Sequence, residues 1–292
     1  MEKPILALID NSIYRKSVIC LAAWASRMLN APVRLLHVLD KSEPEIVLPQ
    51  DIAKNIDDRF RGDFAGKIHD SSASYARLMQ ELGQLILDEA EDYLKKHIHN
   101  EVDTRQRYDS LADAIDLYSK TSSIVIIGKG GQLNAKDFKN VNVGRNFETI
   151  VRASHRPVLT GSQPVRTIKK ILILCGEDFE IKSILDYIKH HDLFKRKSCL
   201  VVFEKGGLPM QKNNVDEVIE TLRHAKMAAS PAFIDEEINS DIINKIIHEH
   251  QIDLTVLSAF NQSRIKQLIF GSSRARLIKK IETPVFITHR QR

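Results

Sequence analysis

The run Pro4-Ile-Leu-Ala-Leu-Ile-Asp10 returns as Lys170-Ile-Leu-Ile-Leu-Cys175, and this echo decides the fold. Ser123-Ile-Val-Ile-Ile-Gly128 is likewise echoed by Asp253-Leu-Thr-Val-Leu-Ser258, and Arg156-Pro-Val-Leu-Thr160 by Thr283-Pro-Val-Phe-Ile-Thr288. Short apolar runs of this length, rich in branched residues, are buried strands. Gly144 stands thirteen residues before Pro157 and Gly271 thirteen before Pro284, so each half closes with a helix and strand of one fixed length. A chain written twice folds as two similar units facing each other.

Between these runs the apolar residues change period. Val18, Leu21, Ala22, Ala25, Met28 and Leu29 follow the spacing of a helix face and predict a helix over about 14–30. Leu78, Leu82, Leu85, Ile86, Ala90, Tyr93 and Leu94 mark a second helix, followed by a polar strand near Val102 to Tyr108. Leu111, Ala114, Ile115 and Tyr118 mark a third, and Phe147, Ile150 and Val151 a fourth. The second half repeats the pattern, with strands near 170–175, 198–203, 231–234, 254–257 and 284–288 and helices near 179–190, 214–227, 239–250 and 273–281. Strand and amphipathic helix in alternation wind a parallel sheet. Two doubly wound, five-stranded α/β domains follow, over 1–162 and 167–292. They are expected as separate lobes, and a single continuous sheet would contradict them. Residues 41–74 have no counterpart of equal length in the second half. With Pro44, Pro49, Gly62 and Gly66 they read as a long surface loop carrying a short helix, either a lid or a packing arm.

The chain has 292 residues and needs no disulfide to hold two cores of ordinary size. Cys20, Cys175 and Cys199 each sit in an apolar run, as small hydrophobes do in a reducing, cytoplasmic compartment. Met1-Glu2-Lys3 leads directly into a strand, so no signal peptide is expected, and no apolar stretch approaches the ~20 residues of a membrane span. A net charge of +5 favours anionic partners modestly. Arg264, Lys266, Arg274, Arg276, Lys279 and Lys280 gather near the end against Glu282, which reads as a solvated helix face. Without interleaved aromatic residues or a reading helix, nucleic acid is not expected as a partner.

An apolar first strand ending in Asp10, a second strand Leu35-Leu-His-Val-Leu-Asp40 containing Val38, a fourth strand running into a Gly-rich loop and a closing Pro-Val-Leu strand together resemble the universal stress protein domain. Two in tandem resemble its two-domain type, over nearly the whole chain outside 41–74. The resemblance implies a cytoplasmic stress-response protein, some relatives of which bind ATP and others not. It implies an internal pseudo-dimer whose closing strands, Pro157–Thr160 and Pro284–Thr288, meet at the pseudo-twofold; a further homodimer of chains is left open. In the nucleotide-binding version, G-x2-G-x9-G-S/T follows the fourth strand, with the strand-one aspartate near the adenosine. Glycines let backbone N–H groups close on phosphate, and the final Gly-Ser opens a helix whose first amides attract an anion. Here Gly128 and Gly131 supply the opening pair, but twelve residues separate them from Gly144, and Arg145 replaces the hydroxyl residue. In the second half Ser258 and Asn261 replace the glycines, while the nine-residue spacer and Gly271-Ser272-Ser273 are kept, and Gly176 stands where Asp10 stands in the first. The resemblance therefore implies eroded sites for ATP or another adenine nucleotide, binding without turnover. An interaction scaffold is the alternative, and a slow ATPase ranks last.

Other patterns point elsewhere. Gly128-Lys-Gly-Gly131 is not a P-loop, because the lysine precedes the glycine pair. His97-Ile-His99 and His248-Glu-His250 have a spacing that sends the two rings to different helix faces, which suits exposed helix ends better than a metal. His37 reads as a satisfied core histidine. Asp10 has two readings, a ligand contact or a cap on the helix that follows, and Ser272 and Ser273 share that ambiguity.

Overall fold

The computed structural model describes residues 2–40, 61–129, 144–175, 181–204, 212–236, 238–258 and 277–288. The first half runs β1 (Ile5–Leu8), α1 (Arg15–Leu29), β2 (Val33–Asp40), α2 (Arg61–His97), β3 (Val102–Asp109), α3 (Leu111–Ser119), β4 (Val125–Gly128), α4 (Gly144–Ala153) and β5 (Val158–Gly161). The second runs β6 (Lys170–Cys175), α5 (Ile181–His190), a 3-10 turn (Asp192–Phe194), β7 (Ser198–Glu204), α6 (Lys212–His224), β8 (Ala228–Ile234), α7 (Ser240–His250), β9 (Leu254–Ser258), a helical turn at 277–280 and β10 (Val285–Thr288).

All ten strands form one sheet, in the order β3-β2-β1-β4-β5-β10-β9-β6-β7-β8. This corrects the expectation of two separate sheets. Each half keeps the same internal order and parallel pairing, and the two are joined by one antiparallel pair, with Val285 opposite Thr160, Phe286 opposite Leu159 and Ile287 opposite Val158. The closing strands thus meet as expected. An exposed strand edge leaves a row of backbone N–H and C=O groups without partners, and pairing β5 with β10 removes two such edges at once. One side chain joins as well: the backbone N–H of Val285 donates to Thr160 Oγ1 at 3.0 Å.

The pleat explains the apolar pattern. Ile5, Ala7 and Ile9 face α1 and α2, and Leu6 faces α3 and α4, so both faces of the sheet are covered and its central strands are largely apolar. On the α1 face the core runs unbroken across the junction. Trp24 of α1 meets Phe194 of the second half at 6.5 Å between ring centroids, and Phe194 stands edge-on to Phe286 at 5.1 Å. The polar strand β3 is an edge strand, paired only with β2 over its eight residues, which is why Arg105 and Arg107 sit in it without cost.

The reading of 41–74 as a loop is corrected over 61–74, which is the first part of the 37-residue helix α2. Once the packed segment around Leu87 and Leu94 nucleates a helix, each added turn upstream costs little, even across Gly62 and Gly66. Residues 41–60 lie outside the described residues, and with them the choice between lid and arm.

Helix starts follow their caps. Ser110 Oγ accepts from Asp113 N at 3.1 Å and donates to the Asp113 carboxylate at 2.6 Å, fixing α3. Asn239 Oδ1 accepts from both Asp241 N and Ile242 N at 3.0 Å, fixing α7. Asn239→Ala is expected to cost about 1 kcal/mol, seen as a lower urea midpoint at unchanged slope; an unmoved midpoint would mean the cap contributes nothing.

Candidate functional site

In each half the strand order reverses once, between β1 and β4 and between β6 and β9. The helices that follow those strands leave on opposite faces, so a crevice opens beyond the carboxyl ends of the pair, which is where open α/β sheets hold ligands.

Asp10 lies in the first crevice, two residues past the end of β1. Its Oδ1 accepts from Ser12 N at 3.1 Å, and Ser12 Oγ accepts from Tyr14 N at 3.3 Å. Helix α1 begins after Tyr14, which makes no side-chain cap bond, so Asp10 shapes the turn ahead of the helix and is not its N-cap. Burial raises the carboxyl above its ordinary value, against the opposing pull of the Ser12 hydrogen bonds and of His37. A carboxylate has about four lone-pair sites, so the Ser12 donors leave acceptor capacity to spare.

His37 on β2 is buried, and its Nδ1 donates to the Ile9 carbonyl at 2.7 Å, which makes it the satisfied core histidine expected. The structure adds Gly83 of α2, whose missing side chain lets the helix close on the His37 ring. No sequence signal paired these two. Val38 points to the other face, partly buried against the core that holds Leu36 and Ile115. Gly128 ends β4 opposite Gly161, and Gly144 is the first residue of α4, with Arg145 in its first turn. Gly131 lies outside the described residues.

In the second crevice Ser258 ends β9, and its hydroxyl is buried without a hydrogen-bond partner among the described residues. Asn261, Gly271, Ser272 and Ser273 lie outside the described residues, as does Gly176, so the structure brings only Ser258 of that set to the strand ends. Cys175 and Cys199 are core residues whose thiols burial pushes up to about 11 and about 12, far from the range of a nucleophile. His97, His99, His248 and His250 are exposed at helix ends, and His248 pairs with Glu282 at 3.0 Å. Among the described residues no group of acidic, histidine and cysteine side chains could hold a metal, and no helix is long and apolar enough to cross a membrane.

Lys129, set aside in the sequence as a failed P-loop lysine, is buried and donates from Nζ to the carbonyls of Ile281 and Thr283 in the other half.

Residues 1–160 match the model of the Universal stress protein family. Over 290 residues the chain is 24% identical to Universal stress protein Slr1230 of Synechocystis sp., covering 97% of this chain and 98% of that protein. Its fold is similar to a universal stress protein from Archaeoglobus fulgidus DSM 4304, at a TM-score of 0.63 and 13% identity over 99% of this chain and 96% of that one. A putative universal stress protein from Pseudomonas aeruginosa UCBPP-PA14 is similar at a TM-score of 0.53 and 12% identity, over 99% and 94%.

Proposed function

This chain belongs to the universal stress protein family, and from that premise we propose that it is a cytoplasmic stress-response protein that binds an adenine nucleotide in its first half and does not turn it over. The observation that carries the reading is the first crevice: Asp10 with free acceptor capacity beyond β1, Gly128 ending β4, and Gly144 opening α4, all at one strand reversal. A carboxylate suits ribose hydroxyls, and a glycine-led helix start suits phosphate. Arg145, in the first turn of α4, adds a cation where a small hydroxyl would ordinarily stand.

The second half lacks the carboxylate, and its β9 ends in Ser258 where the first half has Gly128. That asymmetry favours one working site, and it also favours the alternative reading, an interaction scaffold whose second site is a remnant.

Thermal unfolding with ATP, ADP and AMP separates the two. A nucleotide at a hundredfold excess over its Kd stabilises by about 2.7 kcal/mol, a rise of several degrees for a chain of this size, and Asp10→Ala should reduce the rise. No shift with any of the three nucleotides would remove the nucleotide reading and leave the scaffold.

A further inference from the structure

We propose that Lys129 is the latch that makes the two halves one cooperative unit, supplying from the first half a hydrogen-bond donor that the last turn of the second half lacks. Antiparallel pairing of β5 with β10 sets the start of β10 beside the ends of β5 and β4, with Val285 opposite Thr160. Lys129 follows β4 directly, its backbone N–H donating to the Gly161 carbonyl at 3.3 Å. From there its side chain passes over the seam to the turn before β10. Nζ donates to the carbonyl of Thr283 at 2.5 Å and to that of Ile281.

Comparison of the two copies shows why a donor is needed. The echo sets Arg156-Pro157 against Thr283-Pro284, and so Ser154 against Ile281. In the first half the Arg156 carbonyl accepts from its own Ser154 Oγ at 2.8 Å, and Arg156 N donates back to that hydroxyl at 3.1 Å. In the second half Ile281 has no hydroxyl to offer. The rest of that turn is held from within its own half: Asn244 Nδ2 donates to the Lys280 carbonyl at 2.9 Å, Asn244 Oδ1 accepts from Glu282 N at 3.1 Å, and the Thr283 hydroxyl pairs with Thr255 at 2.8 Å. None of these donors reaches the carbonyls of Ile281 and Thr283. A buried carbonyl left without a donor is costly, and Lys129 meets both. The reverse reach is absent from the sequence, since Ala259 stands where Lys129 would recur.

The cation has its own compensation. Ile281 closes the helical turn at 277–280, its N–H donating to the Leu277 carbonyl at 3.1 Å, and a helix C-terminus favours positive charge. Burial still brings the Lys129 ammonium down to about 7, while Glu282, itself paired with His248, opposes the fall.

The test is acetylation of the native protein at pH 7.5 with an activated ester, read site by site by mass spectrometry. Lys129 should react at least about tenfold more slowly than the exposed Lys96, and the difference should vanish in urea; labelling of native Lys129 as fast as Lys96 overturns the latch. A second arm uses Lys129→Met. Trp24, the only tryptophan, packs against Phe194 across the junction and reports on it by fluorescence. In the wild type its urea transition should coincide with that of far-ultraviolet circular dichroism. In Lys129→Met the fluorescence transition should come first, and continued coincidence in that variant would overturn the proposal. Should the variant fail to fold, the labelling arm on the unaltered chain still decides.

Discussion

Phe286→Ala is expected to lower the stability of the whole chain by about 3–5 kcal/mol. Phe286 is fully buried at the centre of β10, in register with Leu159 on one side and Val256 on the other. Its ring meets Phe194 edge-on at 5.1 Å and Tyr187 at 4.9 Å, and Phe194 carries the contact on to Trp24 in the first half. Truncation therefore opens a cavity where the two copies share their core. The surrounding strands are paired on both sides and cannot collapse into it. The Tyr187 ring would border that cavity, and its hydroxyl is buried without a partner among the described residues, so a water admitted there and reaching it would move the cost toward the lower end of the range. Urea denaturation measures it, with Leu117→Ala on the exposed face of α3 as a control expected to stay within about 0.5 kcal/mol. A loss below about 1 kcal/mol for Phe286→Ala would mean that the junction is not a packed core.

Most of the fold is legible in the apolar periods, because central strands buried on both faces leave uninterrupted runs such as Ile5–Leu8 and Ile171–Cys175. The repeat then gives the order of elements, and the matching closing segments give the place where the halves meet. What the periods do not carry is the hydrogen bonding of β5 with β10. An interface strand and an internal strand have the same composition when both are buried, so two lobes and one continuous sheet read alike. The stretch over 61–74 was misread for a different reason: Gly62 and Gly66 lower helix propensity locally, but a long packed helix downstream outweighs them. The places of Asp10, just past β1, of Gly128 at the end of β4 and of Gly144 at the start of α4 are legible in the spacing of the apolar runs. Lys129 was not, since its partners are two backbone carbonyls about 150 residues away and no side-chain pattern marks a carbonyl. The one trace is the exchange of Ser154 for Ile281 between copies, which becomes meaningful only once the turn is seen.

Gly83→Val is expected to destabilise the protein near the upper end of about 1–3 kcal/mol, the cost of overpacking. A Cβ placed on Gly83 would lie 2.5 Å from His37 Cδ2 and 2.8 Å from His37 Nε2, and would also strike the amide of Gln106. Gln106 is half-buried, but its amide is the far end of a flexible side chain held to the Gln80 carbonyl at 3.0 Å, so it can swing away at little cost. His37 cannot. Its ring is buried and tied through Nδ1 to the Ile9 carbonyl, one residue before Asp10, so either that bond breaks or α2 lifts off the sheet. Helix propensity works in favour of the substitution, but replacing glycine with a β-branched residue gains only a few tenths of a kcal/mol in a helix. The clash wins. Because the displaced ring would disturb the turn that positions Asp10, any nucleotide affinity found for the first crevice should fall with stability in Gly83→Val, whereas Gln84→Ala on the exposed side of the same helix should change neither. Wild-type stability in Gly83→Val, measured by the urea midpoint, would show that α2 does not rest on His37 and would detach it from the site.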